Sequence, residues 1–202
     1  MGITPQQFEQ LKGRVSSPRR SPRPVIETGP MPAPRAQAVL LGVDPSLRGT
    51  GYGVIRCARP QPVALACGTV KCPAGWPRSR CLAQIAVTLR DVVRLHNPTV
   101  CVVEGLFYAQ NLQTALILGE ARGAALATVA EAGLEIFEIA PRKVKQAIVG
   151  YGGAQKLAVA RMVQRLLNLA EPPEPDAADA LALALAHAQT DARHPLSAPR
   201  RI

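Results

Sequence analysis

At 202 residues the chain has room for one ordinary domain with tails, and its 48% hydrophobic content is ample for a core. With only one Trp, three Tyr and three Phe, that core is built from Ala, Val, Leu and Ile, and the formal net charge of +10 favours an anionic partner, either nucleic acid or a membrane surface. Five cysteines with no Cys-x-x-Cys pair argue against a disulfide framework, and no apolar stretch is long and charge-free enough to span a bilayer. Cys67, Cys72 and Cys81 match no common zinc spacing, and the first residues lack an apolar signal core. The expectation is reduced thiols, a cytoplasmic location and no membrane.

Residues 1–37 read as a disordered basic extension. Ser16–Arg35 is rich in Pro, Arg and Ser without hydrophobic periodicity, so it cannot support a packed core. Ahead of it, Thr4 and Pro5 open what reads as one N-capped helical turn around Phe8, either a docking peptide or a frayed tail. Residues 1–38 hold six basic and two acidic side chains, so a share of the charge lies outside the expected domain at 38–189. Residues 190–202 read as a flexible tail.

The folded part opens with a buried strand at 39–44, a tight turn over Pro45–Gly51, a second strand at 52–57 and a third at 62–72. These three suggest an antiparallel meander. Leu82, Ile85, Ala86, Leu89, Val92 and Val93 then fall on one helical face. A strand at 99–104, a small-residue helix at about 111–132, a strand at Leu134–Ile139 and helices near 141–149, 154–169 and 176–189 follow. Strands in a meander, then strands alternating with helices, predict an α/β fold with a mixed sheet flanked by helices.

Four carboxylates stand out against this plan. Asp44 and Glu104 each end an apolar run, and a buried strand that ends in an acid carries a desolvated charge needing compensation. Asp176-Ala177-Ala178-Asp179 puts two more acids on one helix face, with alanines that let the helix lie close to a sheet. Each has a plainer reading. Asp44 before Pro45 suits a turn, Glu104 suits a sheet edge, and Asp176 suits an N-cap. Asp179, among Ala and Leu, has no such alternative. Oxygen ligands that converge suit Mg²⁺ or Mn²⁺, and a pair of such ions clamps both sides of an in-line phosphoryl displacement. The chemistry predicted is that of a metal-dependent nuclease.

Gly42–Gly53, Glu104-Gly105-Leu106-Phe107, Gly119-Glu120-Ala121-Arg122-Gly123, Arg142-Lys143-Val144-Lys145-Gln146, Gly150–Lys156 and Asp176-Ala177-Ala178-Asp179-Ala180-Leu181-Ala182 stand in this order along the chain. Together they resemble the bacterial RuvC crossover junction endodeoxyribonucleases, over about residues 38–189. Ser46 departs from the pattern, standing where the family usually has Gly. The resemblance implies a ribonuclease H-like fold with a mixed five-stranded sheet, a homodimer, and symmetric nicking of four-way junction DNA. It implies two Mg²⁺ ions per site, replaceable by Mn²⁺, held by Asp44, Glu104, Asp176 and Asp179 as the catalytic acids. Phe107 falls on the aromatic that stacks on unpaired bases, and Arg142, Lys145 and Lys156 on basic residues along the DNA. The small-residue helix falls at the dimer contact, and a branch-migration complex of the RuvA and RuvB type is the implied partner.

The residues also have readings apart from the family. Phe107 could be a core side chain, Lys145 part of a solvated face, and His187 a structural histidine. A 3′–5′ exonuclease of similar fold would carry two acids separated by one residue on the first strand, whereas Pro45 and Ser46 follow Asp44. A silent junction-binding protein would not need all four acids.

Overall fold

The computed structural model describes residues 38–105, 111–189 and 199–202. The expected turn near Phe8, the basic linker and Phe107 lie outside the described residues. Six strands form one mixed sheet: β1 (Val39–Asp44), β2 (Gly49–Arg56), β3 (Val63–Lys71), β4 (Val100–Glu104), β5 (Glu135–Ile139) and β6 (Arg200–Arg201), in the order β3-β2-β1-β4-β5-β6. The first three pair as the predicted antiparallel meander, and β1, β4 and β5 run parallel. Among the described residues five helices connect and cover them: α1 (Arg78–His96), α2 (Leu112–Glu131), α3 (Pro141–Val149), α4 (Lys156–Leu166) and α5 (Pro175–Gln189). Among the described residues no helix is long and apolar enough to cross a membrane.

The expected five strands are corrected to six. Arg200 and Arg201 pair antiparallel with Glu138 and Phe137, so the end of the segment read as a flexible tail lies on the sheet edge. Two exposed arginines show no hydrophobic alternation, so only backbone pairing and the Arg201–Glu135 ion pair, at 3.1 Å, identify this strand.

Alternation along the strands assigns each residue to one of two cores. Leu41, Val43, Val54, Cys101 and Val103 face α1 and α2, whereas Leu40, Ile55, Val102 and Ile139 face α3, α4 and α5. By the same period of two, Asp44 and Glu104 point to the second face. His187 of α5 is buried there, its ring 4.7 Å from that of Phe137, in the structural role expected of it.

The turn between β1 and β2 is shorter than predicted, because β2 begins at Gly49. Gly42, Gly51 and Gly53 mark places where the backbone must either turn or be approached closely, and none has a positive φ. Their use is close approach. A Cβ on Gly42 would sit 1.9 Å from the Ala180 carbonyl oxygen, and one on Gly51 would sit 2.0 Å from that of Asp176. A bed without side chains thus lets the backbone of α5 lie directly on β1 and β2. Ser46 fits the remaining turn without a left-handed backbone. Its N–H donates to the Thr50 hydroxyl at 3.1 Å, and that hydroxyl donates to the Ser46 carbonyl.

Candidate active site

Asp44 is the last residue of β1 and Glu104 the last of β4. The parallel register pairs Val43 with Val103, which sets the two acids side by side at the carboxyl ends of neighbouring strands. They lie within hydrogen-bond reach of each other. The glycine bed delivers the other pair from α5. Asp176 lies in the first turn of that helix rather than at its N-cap, near the helix's positive end. It also touches β2, where a Cβ on Gly49 would come 2.8 Å from its Oδ2. Asp179 follows one turn on and does have a partner. Lys156, the first residue of α4, places its Nζ 2.8 Å from Asp179 Oδ2.

The charges crowd. Burial, then the Glu104 and Asp179 carboxylates, push the Asp44 carboxyl up to about 8, with the Lys156 ammonium working against them. Burial first and Asp179 second raise Glu104, while the hydrogen bond with Asp44, then Lys156 and Lys145, oppose the rise. The hydrogen bond to Asp179 lifts Lys156 above the usual lysine value. Three elements therefore bring four acids together around too little positive charge, with oxygen as the only donor atom. That donor set fits a hard divalent cation. Among the described residues no three of these groups close on one point. Lys156, within this group, is paired to Asp179.

Lys145 on α3 is half-buried beside this cluster, and Arg142 is exposed in the first turn of that helix. The loop after α3 lies against it, since a Cβ on Gly152 would come 3.2 Å from the Arg142 carbonyl oxygen. Phe107 lies outside the described residues. A separate depression of about 500 Å³, lined by Ser46, Leu47, Arg48, Arg78, Ile117 and neighbouring residues of α2, contains no carboxylate.

One residue of the site has no role from the sequence alone. Arg122 on α2 is only 7% exposed, and its guanidinium donates to the Glu104 carbonyl at 2.6 Å and to the Glu138 carboxylate. It belongs to the Gly119–Gly123 motif, but an arginine between alanine and glycine on a helix gives no sign of which strand it reaches.

The family model for "Crossover junction endodeoxyribonuclease RuvC" matches residues 40–187. A Pseudomonas putida protein of that name is 43% identical over 166 residues, covering 81% of this chain and 95% of its own length. One from Chromohalobacter salexigens is 43% identical over 150 residues, 74% of this chain and 80% of its own. Among solved structures, Thermus thermophilus RuvC in complex with a Holliday junction substrate superposes with a TM-score of 0.74 at 33% identity, covering 82% of this chain and 99% of that one. The yeast mitochondrial Holliday junction resolvase Ydc2, at a TM-score of 0.54 and 14% identity, shares the fold. The ribonuclease H-like architecture expected from the motifs is borne out, with six strands in place of five. From the family match over most of the folded residues, and from relatives at this identity, the chain belongs to the RuvC family of crossover junction endodeoxyribonucleases.

Proposed function

We propose that this chain resolves Holliday junctions by paired symmetric nicks, with Asp44, Glu104, Asp176 and Asp179 holding two Mg²⁺ ions, for which Mn²⁺ substitutes. The convergence of four carboxylates from β1, β4 and α5 carries the reading, and the relatives' name and the junction-bound structure support it. When bound, the metal provides a nucleophilic water at neutral pH and stabilises the departing oxygen as a Lewis acid. The protein residues position the substrate. Lys156 at the head of α4 presents its ammonium to the scissile phosphate, beside the free N–H groups of that helix end. Lys145 and Arg142 hold the flanking backbone. The water oxygen bonds to phosphorus as the P–O3′ bond breaks, leaving a 5′-phosphate and a 3′-hydroxyl that can be ligated.

One cluster of four acids nicks one strand, so resolution needs two chains. The α2 helix offers a contact for a second copy. Leu112 and Leu116 are 75% and 59% exposed, and Gly119 and Gly123 continue the same stripe with open space above them. Small residues there allow close helix approach. The junction arms extend to a branch-migration complex of the RuvA and RuvB type. A synthetic four-way junction incubated with and without Mg²⁺ tests the reading. Metal-dependent, symmetric nicks in opposing strands support it. Degradation from free ends would indicate an exonuclease, and binding without cleavage a silent junction binder.

Phe107→Ala is expected to bind junctions almost normally yet cleave about one to two orders of magnitude more slowly. The aromatic face is needed only when the crossover opens, and base stacking is worth about 1–3 kcal/mol. A variant that instead melts at a markedly lower temperature would mark Phe107 as a core residue.

The basic extension at 1–37 acts as an electrostatic arm, adding affinity through counterion release. Deleting residues 1–35 should leave the melting temperature and Mg²⁺-dependent cleavage intact. Binding to duplex and junction should weaken alike, and the dependence of log K on log salt should flatten. An unchanged salt slope on plain duplex would sink the arm, and loss of a protein partner alone would favour a docking peptide.

A further inference from the structure

We infer that Arg122 is a positioning residue of the cleavage site: from α2 it fixes the end of β4, and with it Glu104, against Glu138 of β5. The inference rests on the metal-dependent reading of the carboxylates.

Glu104 is the last residue of β4, so strand pairing ends at its backbone and does not alone fix its carboxylate. Arg122 supplies what is missing. Its planar guanidinium reaches two acceptors at once, the Glu104 carbonyl at 2.6 Å through Nη1 and the Glu138 carboxylate through Nη2. Glu138 in turn packs against Gly105, where an added Cβ would meet its Cγ at 3.3 Å. The Gly105 N–H donates to the Ile139 carbonyl at 2.9 Å and closes the arrangement. Arg122 and Glu138 side chains are 9% and 27% exposed. This is a largely buried ion pair, whose retention is weak grounds for a stability role because burial offsets much of the attraction. Its placement is specific. The contact falls on the backbone of a metal-binding candidate, where partners of ligands orient them and tune metal affinity.

The test separates positioning from simple stability. Junction cleavage is titrated with Mg²⁺ for the full chain and for Arg122→Leu, Arg122→Lys and the double variant Arg122→Leu/Glu138→Ala, with melting temperatures alongside. Arg122→Leu should raise the Mg²⁺ midpoint by about 10–100-fold, with much of the rate recovered at high metal and junction binding in EDTA unchanged. Arg122→Lys, which keeps the charge and one donor, should recover part of the shift. In the double variant no uncompensated Glu138 charge remains, so the melting temperature should return toward the parent while the midpoint stays displaced. A midpoint within about twofold of the parent in Arg122→Leu would overturn the inference. So would a double variant in which midpoint and melting temperature recover together. Where Arg122→Leu does not fold, Arg122→Lys and the double variant decide by the same criteria. A parent chain with no Mg²⁺-dependent nicking would instead sink the reading on which the inference rests.

Discussion

Asp44→Asn, Glu104→Gln and Asp179→Asn are each expected to abolish Mg²⁺-dependent junction cleavage while leaving binding in EDTA intact. An amide keeps the shape of the side chain but loses the charge that a divalent cation needs. Losing several kcal/mol of metal-derived stabilisation lowers the rate about a thousandfold or more. Near-parental nicking by any of the three would contradict the assignment. Asp176→Asn should be milder, because Asp176 is the weakest of the carboxylates raising Asp44.

Substitution at Asp44 has an opposite effect on stability. The Asp44 carboxyl lies at about 8 in the folded chain against an ordinary 3.8, so the folded state holds that proton more tightly than the unfolded one. Stability then falls as pH rises between about 4 and about 8, as the native chain is forced to ionise a crowded acid. The neutral amide of Asp44→Asn would carry no such cost. In EDTA at pH 8, Asp44→Asn should melt a few degrees above the parent, and the gain should vanish near pH 4. Mg²⁺ should narrow the gap by binding the parent's folded state. Thermal melts at the two pH values, with and without metal, check this. A variant less stable than the parent at pH 8 in EDTA would show that the carboxylate is held by partners rather than merely crowded.

Much of this arrangement is legible in the chain because strands and helices announce themselves by period. The run 39–44 is buried on both faces and reads as a strand without ambiguity, and the spacing of Val144 and Ile148 sets α3 at 141–149. The acids at strand ends are conspicuous because desolvated charge is rare. What stays hidden depends on contacts distant in sequence. Asp179 meets Lys156 across 23 positions, and Arg122 meets Glu138 across 16. No local pattern encodes either pair. The glycines of β2 are ambiguous for a further reason. Gly suits either a turn or a close approach when only local sequence is considered, and contact with a distant backbone decides for close approach. Likewise Asp176 reads as a cap because Pro175 precedes it, yet the helix begins one residue earlier, with Pro175 in the first-turn position that proline favours.

That glycine bed yields the second large effect. Gly42→Ala and Gly51→Ala should each lower stability more than an ordinary core substitution and cut cleavage sharply even where the protein folds. The new methyl would meet a helix backbone atom at 1.9 Å or 2.0 Å, far inside van der Waals contact. No side chain can swing away, so α5 must shift bodily by more than an ångström. Overpacking a core costs about 1–3 kcal/mol when side chains adjust, and backbone displacement adds to that. The activity loss comes separately, since α5 carries Asp176 and Asp179 while β1 and β4 carry the other two acids. A misplacement of about 1 Å between reacting groups costs on the order of a hundredfold in rate. Gly75→Ala is the control, because nothing lies within 4 Å of an added Cβ there. It should match the parent in melting temperature and nicking rate. Should Gly42→Ala and Gly51→Ala behave like Gly75→Ala in both measurements, α5 does not rest on the sheet as described. The route by which its two carboxylates reach Asp44 and Glu104 would then have to be different.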